Sequence, residues 1–463
     1  KINKSSNRLK EIILIKKQII VKLLLFYLIS PQMKNDLQPI QLNGDFKAAL
    51  DLLEKTKTNV FVTGRAGTGK STLLQLFRNT THKKCVVLAP TGIAALNVQG
   101  TTIHSFFRFP GKPLQRSEVK KVRYNKIYQK LDVIIIDEIS MVRADMIDNM
   151  DAFLRLNGTQ PGLPFGGVQM IFFGDLFQLP PVVSSNAERQ LFQSFYDSAY
   201  FFSAKIFQNG FEMEMLELHQ TYRQNSRHFI RLLDAVRLNH TDYDDLDDLN
   251  ERYLPDFQSE DFYITLSPRN ATVDAINNRE LKKLNTLERS YIAKVSGTFN
   301  DRRFPTEPLL QLKMNAQVMF IKNDPDQKFV NGTIGKIVSL EPDEIKVALE
   351  NPDGSQRIIK VEQLEWEIMK YKINAKDEIE TEVTGSFKQY PLRLAWAVTI
   401  HKSQGKTFDK IIIDMGKGAF ESGQTYVALS RCRTLEGIVL KNKITPKDVI
   451  TDERIVQFYE RGR

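Results

Sequence analysis

Apolar runs recur through the first half of the chain, and each ends in a polar or glycine-containing segment. They lie at residues 59–63, 85–89, 133–136 and 168–173, with helix-forming stretches such as 73–77 (LLQLF) between them. Continuous apolar runs are typical of strands buried on both faces of a parallel sheet, whose chemistry collects at the carboxyl ends of the strands. The pattern therefore predicts an α/β fold with one site at that edge of the sheet.

A second series of elements begins near residue 212 and contains a different kind of segment at 296–390. In that segment short strands alternate with turns, and Asn331-Gly332 and Asp353-Gly354 are hairpin signals. We predict a second α/β half that carries a small β-barrel or β-rich insertion. The predicted elements are a helix at 229–238, strands of the half at 262–266, 392–398 and 411–415, and strands of the insertion at 316–321, 332–340, 345–349 and 356–361.

Two shorter segments have simple interpretations. An amphipathic pattern at 43–54 (NGDFKAALDLLE) predicts a helix that leads into the first strand. The acidic stretch 241–250 (TDYDDLDDLN) is predicted to be a solvated loop or helix face.

The first 32 residues differ from the rest of the chain. The apolar segment 12–29 is interrupted by Lys16, Lys17 and Lys22, whereas a membrane-spanning helix needs about twenty apolar residues with few charges. We therefore expect no membrane span. Met33 precedes what reads as an ordinary N-terminus, so residues 1–32 are expected to be upstream translation or a dispensable extension.

Composition adds limits on size, compartment and partner. A chain of 463 residues with 42% hydrophobic and 26% charged residues is a globular protein of two to four domains. The net charge of +10 suits a polyanionic partner, although a chain that is simply lysine-rich explains it equally well. Cys85 and Cys432 are the two cysteines; their wide spacing indicates a reducing compartment, without a disulfide frame or structural zinc.

The most specific motif is GRAGTGKST at 64–72, which lies between a predicted strand and a predicted helix. Its glycines let backbone N–H groups approach phosphates at a helix N-terminus. Lys70 would reach the outer phosphates and Ser71 would hold Mg²⁺. The alternative is a Gly-rich turn that only links strand to helix.

Polar residues at the next strand ends suit hydrolysis. In VIIIDEIS, Asp137 is placed to hold Mg²⁺ and Glu138 to orient or deprotonate the attacking water; a plain helix N-cap is the alternative. In GDLFQLPPV, Gln178 is placed to bond the γ-phosphate or that water; otherwise the segment is an ordinary turn.

The second half supplies two arginines in apolar surroundings, Arg223 in LHQTYRQ and Arg431 in YVALSRCR. An isolated charge there is costly, so each is either satisfied by a structural carboxylate or completes the nucleotide site across a cleft.

Two clusters of polar residues near strand ends have no obvious nucleotide role. Hydroxyls, amides and imidazoles there suit the phosphates of a nucleic-acid strand, while nearby phenylalanines could stack on bases. For any single residue, a buried polar group or a core aromatic is the stronger interpretation. The clusters are Thr91, Thr102, His104, Ser105, Phe106 and Phe107 in the first half, with Phe177 as a further stacking candidate, and Thr399, His401, Lys402, Ser403 and Gln404 in the second.

Taken in order, the motifs resemble the petite-integration-frequency (Pif) family of superfamily-one helicases in the 5′ to 3′ branch. The resemblance covers about residues 60–440 and includes the long segments APTGIAALNVQGTTIHSFF, GGVQMIFFGDLFQLPPV and AWAVTIHKSQGKTFDKIIID. The segment 140–167 is similar to that family's signature region. One departure concerns the family's adenine-reading glutamine: Phe46 falls near that place, and Gln38 and Gln41 lie upstream, so adenine specificity stays open.

The resemblance implies two RecA-like parallel-sheet P-loop domains with ATP between them. The implied division is 33–190 for the first domain with a wedge at about 105–128, 191–295 and 391–445 for the second, 296–390 for a barrel-like insertion and 446–463 for a tail. The implied roles are as follows: nucleotide binding by Gly67, Thr68, Gly69, Lys70, Ser71, Thr72 and Gly405; metal binding by Ser71 and Asp137; catalysis by Lys70, Glu138, Gln178, Arg223 and Arg431; and DNA contacts by Pro90, Thr91, His104, Phe106, Thr399, His401 and Lys402.

The expected function is therefore that of an ATP- and Mg²⁺-dependent helicase that moves 5′ to 3′ on single-stranded DNA. Forked DNA, G-quadruplexes and RNA–DNA hybrids are the implied substrates. The protein is expected to be a monomer, with a dimer on DNA as the alternative, and to lie in the cytoplasm of a bacterial-type cell, with nucleus or mitochondrion as alternatives. A translocase with little unwinding and a nucleotide-switched binding protein are the competing functions; Glu138 beside Asp137 speaks against the second.

Overall fold

The computed structural model describes residues 44–111, 114–183, 185–258, 260–299, 304–351 and 353–462. The predicted extension 1–32, Gln38 and Gln41 lie outside these residues. No helix within them is long and apolar enough to cross a membrane. The helices are α1 Gly44–Lys55, α2 Lys70–Thr80, α3 Gly92–Asn97, α4 Ile103–Phe107, α5 Lys126–Gln129, α6 Ala144–Asn157, α7 Asn186–Phe195, α8 Arg227–Leu238, α9 Tyr243–Asn250, α10 Asn270–Lys283, α11 Ile400–Ser403, α12 Gln424–Leu429 and α13 Glu453–Gly462.

The strands follow the alternation expected from the sequence in the first half and become denser after residue 288. They are β1 Val60–Gly64, β2 Cys85–Ala89, β3 Thr101–Thr102, β4 Val133–Ile136, β5 Gln169–Phe173, β6 Glu214–Leu218, β7 Ile264–Ser267, β8 Glu288–Ile292, β9 Lys294–Gly297, β10 Leu309–Lys313, β11 Gln317–Phe320, β12 Ile334–Leu340, β13 Ile345–Glu350, β14 Gln356–Val361, β15 Leu364–Ile373, β16 Ile379–Gln389, β17 Leu392–Leu394, β18 Ala397–Thr399, β19 Ile411–Ile413 and β20 Ile438–Leu440.

Of the described residues, 44–57 and 72–83 form one compact unit. In its described part, the Glu54 carboxylate accepts hydrogen bonds from the Thr81 hydroxyl at 2.6 Å and the His82 backbone N–H at 3.1 Å. The Lys83 ammonium donates to the carbonyl oxygens of Leu53 and Thr56. These bonds fasten the end of α1 to the residues that follow α2.

The second unit, Thr58–Ser71 with the chain from Lys84 onward, contains two parallel sheets. The first has the order β3-β2-β4-β5-β1-β6, with every neighbouring pair parallel. Of its inner strands, β1, β4 and β5 are completely buried and β2 is buried except at Cys85, which explains their apolar sequences.

Strand β6 corrects the predicted boundary at 190/191. It pairs with β1 from Val60↔Glu214 to Gly64↔Leu218, so the first sheet extends to Leu218. It is an edge strand with partly exposed side chains. Edge strands need no continuous apolar run, and the sequence pattern therefore did not assign it to this sheet.

The second parallel sheet has the order β18-β7-β19-β20. The single strand predicted at 392–398 is two strands that belong to different sheets. β17 pairs antiparallel with β11 of the insertion, whereas β18 pairs with β7. The insertion therefore ends at about residue 394, and the chain returns to the second sheet directly afterwards.

The insertion is β-rich, and it begins at β8, before the predicted residue 296. It contains a five-stranded sheet β14-β13-β12-β11-β17, a three-stranded sheet β15-β16-β9 and the pair β10-β8. The long hairpin β15–β16 lies against the first half. Its turn residue Asp377 pairs with Lys126 at 2.7 Å and Lys130 at 2.5 Å, and the Tyr371 hydroxyl accepts a bond from the Val87 N–H at 2.9 Å.

The predicted C-terminal tail forms α13 and packs beneath the first sheet. The Phe458 ring stacks on Phe202 with 4.4 Å between centroids, and it lies 6.3 Å from the ring of Phe61 in β1. The final helix thus belongs to the packing of the first sheet, although it follows the last strand of the second.

We predict that Phe458→Ala lowers the free energy of unfolding by about 2 kcal/mol, because a half-buried ring loses its stacking partner and leaves a cavity. Thermal and urea unfolding measure the change. Tyr243→Ala is the control, since Tyr243 is 85% exposed and its loss should change stability by less than about 0.5 kcal/mol. Equal effects of the two substitutions would contradict the packing of α13.

Candidate nucleotide and nucleic-acid site

The loop that ends β1 has the conformation of a phosphate cradle. Gly67 and Gly69 have φ angles of 83° and 86°, a region open to glycine. The Lys70 ammonium folds back and donates to the carbonyl oxygens of Gly64 at 2.7 Å and Arg65 at 2.9 Å. Burial lowers the pKa of Lys70 to about 8, although Asp175 opposes the shift. Among the described residues the Lys70 ammonium has no salt-bridge partner, and a phosphate placed here would supply one.

Asp137 and Glu138 follow β4 and lie in the same buried region. Burial and the neighbouring Glu138 raise the pKa of Asp137 to about 7. Burial also raises the pKa of Glu138, against the opposing charge of Lys70. Glu138 adopts φ 51° and ψ 46°, a left-handed conformation that costs about 1–2 kcal/mol for a residue with a Cβ. Such strain often accompanies functional sites.

Gln404 connects the two halves at the site. Its side-chain amide donates to the Glu138 carboxylate at 3.2 Å and to the Gln178 carbonyl oxygen at 3.4 Å. Gln178 is 7% exposed and follows β5, whereas Gln404 follows α11 beside the second sheet. The sequence placed Gln404 among possible strand contacts; the structure places it against Glu138 and Gln178.

Arg431 is 1% exposed and has acceptors that carry no charge. Its guanidinium donates to the Val427 and Lys406 carbonyl oxygens at 3.0 and 3.3 Å and to the Ser430 hydroxyl at 2.8 Å. Burial lowers the pKa of Arg431, while Glu138 acts in the opposite direction. The structural-carboxylate alternative therefore does not hold for Arg431 within the described residues.

Arg223 lies against the phosphate loop. The backbone N–H of Tyr222 donates to the Gly67 carbonyl at 2.8 Å, and a Cβ on Gly67 would come within 2.5 Å of the Arg223 Cβ. The guanidinium donates to the Ser430 carbonyl at 3.1 Å. Burial lowers the pKa of Arg223 to about 9, and the positive charge of Arg431 acts in the same direction. Arg223 follows β6, so it extends from the first sheet and not from the opposite half.

The remaining loop residues fit a nucleotide with a divalent cation. Thr68 is buried and donates to the Arg65 carbonyl at 3.0 Å, whereas Ser71 and Thr72 are exposed. Gly405 is exposed with φ 77°. No cluster of three or more His, Cys, Asp or Glu side chains able to hold a metal occurs in the described ranges. One hydroxyl and one buried carboxylate instead suit a cation that takes its other ligands from phosphates and water.

Three of the predicted DNA contacts from the first half line one cavity. Pro90, Thr91 and His104 border a space of about 210 Å³, together with Arg143. The Thr91 hydroxyl caps α3 by accepting from the Ala94 N–H at 3.2 Å. Thr91, which is exposed at the start of α3, therefore forms part of the cavity wall.

The second half repeats this arrangement at the end of β18. The Thr399 hydroxyl caps α11 by accepting from the Lys402 N–H at 3.2 Å. His401 Nε2 lies 3.4 Å from the Glu421 carboxylate, and Lys402 is exposed. Thr399 is 4% exposed, so its hydroxyl positions the helix more than it offers a surface contact.

The stacking role predicted for Phe106 is wrong for this structure. Phe106 is 7% exposed and packs edge-on against Phe107, Tyr128 and Tyr371. Phe107 is 1% exposed in the same cluster, and Phe177 is 2% exposed beneath the Arg237 guanidinium. These rings serve the core, which was the stronger interpretation for each residue taken alone.

The sequence analysis assigned no role to two further residues at the site. Tyr426 donates its hydroxyl to Asp175 at 3.3 Å and accepts the Ala66 N–H of the phosphate loop at 2.9 Å. Arg237 forms a buried ion pair with Asp175. Arg237 lies in the amphipathic helix α8, whereas Tyr426 lies in the fully buried helix α12. The available signals were the GD of GDLFQLPPV and the segment YVALSRCR, which begins at Tyr426.

Comparisons with known proteins agree with this geometry. Residues 41–246 match the model of the family described as PIF1-like helicase. The chain is 33% identical over 434 residues to the ATP-dependent DNA helicase Pif1 of Bdellovibrio bacteriovorus, covering 91% of this chain and 92% of that one. The structure of Bacteroides sp Pif1 in complex with ADP-AlF4 has a TM-score of 0.83 at 38% identity, over 91% of this chain and 96% of that one. Bacteroides Pif1 bound to ssDNA has a TM-score of 0.65 at 39% identity, with the same coverage.

We predict that Gly67→Ala weakens ADP binding at least about tenfold, because its positive φ and the 2.5 Å approach to Arg223 together cost more than about 1.4 kcal/mol. Titration with a fluorescent ADP analogue measures the affinity. Gly44→Ala is the control, since a Cβ on Gly44 would meet no atom of the described residues within 4 Å. Unchanged affinity in Gly67→Ala would contradict the cradle geometry.

Proposed function

This chain belongs to the PIF1-like helicase family, and we propose that it is an ATP-dependent DNA helicase that moves 5′ to 3′ on single-stranded DNA. The observation that carries the proposal is the bond of Gln404 to both Glu138 and Gln178. This bond links Glu138 and Gln178, the groups suited to hydrolysis in the first half, to Gln404 in the second half. A change at the nucleotide therefore alters the contact between the halves, which is what a translocating motor requires.

The proposed roles at the nucleotide follow from position and charge. Lys70 neutralises the outer phosphates, and the raised pKa of Glu138 suits it to accept a proton from water. Gln178 orients that water, and Arg223 and Arg431 stabilise negative charge on the transferred phosphoryl group. Ser71 and Asp137 would hold Mg²⁺, which supplies charge neutralisation at the phosphates when bound.

The proposed path of the DNA strand runs along the edge that bears Thr91 and His104 in one half and His401 and Lys402 in the other. Helix starts, hydroxyls and a lysine suit phosphates and carry no sequence information. Phe106 is left out of the proposal because its ring is in the core. Forked DNA, G-quadruplexes and RNA–DNA hybrids are the proposed substrates, bound by one copy or by two.

We also propose four parts for the motor, with boundaries chosen to follow the strand pairing. The first RecA-like domain ends after β6 and includes α13 from the far end of the chain. Residues 105–128 are its wedge. The second domain contains β7, β18, β19 and β20, and the insertion extends from β8 to β17.

Strand displacement tests the proposal most directly. We expect ATP-dependent unwinding of a duplex with a 5′ single-stranded tail and little unwinding of the same duplex with a 3′ tail. ATP hydrolysis should rise with single-stranded DNA. Stimulated hydrolysis without displacement would favour the translocase, and absence of stimulation would rule out both motor functions.

We expect Arg431→Ala to lower kcat for DNA-stimulated ATP hydrolysis by about 10³-fold, the size known for arginines that stabilise a transferring phosphoryl group. ATP affinity should change by less than about threefold, because the loss falls on the transition state.

Arg433→Ala is a matched control two residues away, since Arg433 is half exposed and pairs with Asp409 at the surface. Its kcat should stay within about twofold, as expected for an exposed pair. Retention of the wild-type kcat by Arg431→Ala would remove that residue from the proposed machinery.

A further inference from the structure

A buried ion pair lies behind the phosphate loop. Arg237 of α8 approaches the Asp175 Oδ1 atom with Nη2 at 3.2 Å and Nε at 3.4 Å. The two side chains are 2% and 0% exposed. The guanidinium also lies over the rings of Phe177 at 4.3 Å and Tyr459 at 5.3 Å. Removing two charges from water is costly unless their geometry is well satisfied, and these contacts hold the pair in one position.

Asp175 uses both carboxylate oxygens. Oδ1 accepts from Arg237 and from the backbone N–H of Phe177 at 3.3 Å. Oδ2 accepts from the Tyr426 hydroxyl and from the side-chain amide of Gln178, each at 3.3 Å. A paired carboxylate only accepts hydrogen bonds, so it fixes which end of the Gln178 amide turns toward it.

This constraint extends to the reacting groups. With its nitrogen turned to Asp175, Gln178 must present its carbonyl oxygen to the opposite side. There it accepts from Gln404, which also donates to Glu138. A continuous chain of hydrogen bonds therefore runs from Arg237 through Asp175, Gln178 and Gln404 to Glu138.

We propose that Asp175, held in place by Arg237, is a positioning residue that sets the orientation of the Gln178 amide for ATP hydrolysis. The inference rests on the proposed function, since it assigns Asp175 and Arg237 to the same reaction. Asp175 and Gln178 follow β5 of the first sheet, whereas Arg237 and Tyr426 lie on α8 and α12, which pack together in the other half. The orientation of Gln178 then depends on the two halves being in contact.

The alternative is that the pair only stabilises the fold, and a double-mutant cycle separates the two. Asp175→Asn keeps the shape and an acceptor for Arg237, but it replaces the acceptor of Gln178 with an N–H donor. Gln178→Ala removes the group through which Asp175 is proposed to act. The cycle compares wild type, both single variants and the double variant by DNA-stimulated ATP hydrolysis, fluorescent-ADP affinity and thermal unfolding.

We expect Asp175→Asn to lower kcat at least about tenfold while ADP affinity stays within about threefold. In the Gln178→Ala background it should lower kcat by less than about twofold further, because residues that act as a unit are not additive. Multiplicative losses, or an unchanged kcat in Asp175→Asn, would overturn the inference. If the wild-type protein does not hydrolyse ATP, the proposed function itself is overturned. If the wild type hydrolyses ATP and Asp175→Asn does so equally fast, only the positioning role is overturned.

A second variant covers the case in which Asp175→Asn does not fold. Arg237→Lys keeps the charge but loses the planar fork and the stacking on Phe177. We expect a lower kcat that is again masked by Gln178→Ala. Arg231→Lys is the control on the same helix: Arg231 is half exposed and pairs with Asp245 and Asp248 of α9, and its kcat should stay within about twofold. Equal kcat in Arg237→Lys and wild type would count against the positioning role.

Discussion

Buried charge at the contact between two parallel sheets is the constraint on which this structure depends. Arg431 donates to carbonyl and hydroxyl oxygens, while Asp137 and Glu138 share a buried region in which their pKa values are raised. Cations and carboxylates therefore lie near one another without neutralising each other fully. Unpaired charge in such surroundings costs several kcal/mol. A nucleotide with its divalent cation would supply the missing charge partners, because its phosphates would pair with the cations and its metal with a carboxylate. Nucleotide binding and contact between the halves are thus both favoured, because the same buried charges lack full partners.

The β insertion also contacts the first half. Its hairpin β15–β16 reaches the first half through Asp377 and Tyr371, beside the helix that Thr91 caps. The ion pairs of Asp377 are partly exposed and contribute about 0–1 kcal/mol each, whereas the Tyr371 ring of the same hairpin packs edge-on against the buried Phe106.

Local sequence pattern predicted what depends on local structure. The apolar strands and the phosphate loop follow from short segments, and Lys70, Glu138 and Arg431 lie where those segments end or turn. Edge strand β6 was assigned to the wrong half because its side chains are partly exposed and its sequence is mixed. Phe106 was assigned to DNA because an aromatic residue beside a polar motif has the same sequence pattern in a core or at a surface. The pair of Asp175 and Arg237 spans 62 residues, and nothing in either segment indicates that they meet.

The ion pair of Asp175 and Arg237 explains why the residues of the nucleotide site come from distant parts of the chain. Gln178 and Glu138 could have been fixed by neighbours in the first sheet alone, and the site would then be assembled whether or not the halves touched. Their hydrogen-bond partners come instead from Gln404 and, through Asp175, from Arg237 and Tyr426. Glu138 is held in a strained left-handed conformation, which persists only where the surroundings over-determine it. A site whose last constraints come from the opposite half is complete only when that half is in place, and this dependence is what allows hydrolysis to be tied to movement between domains.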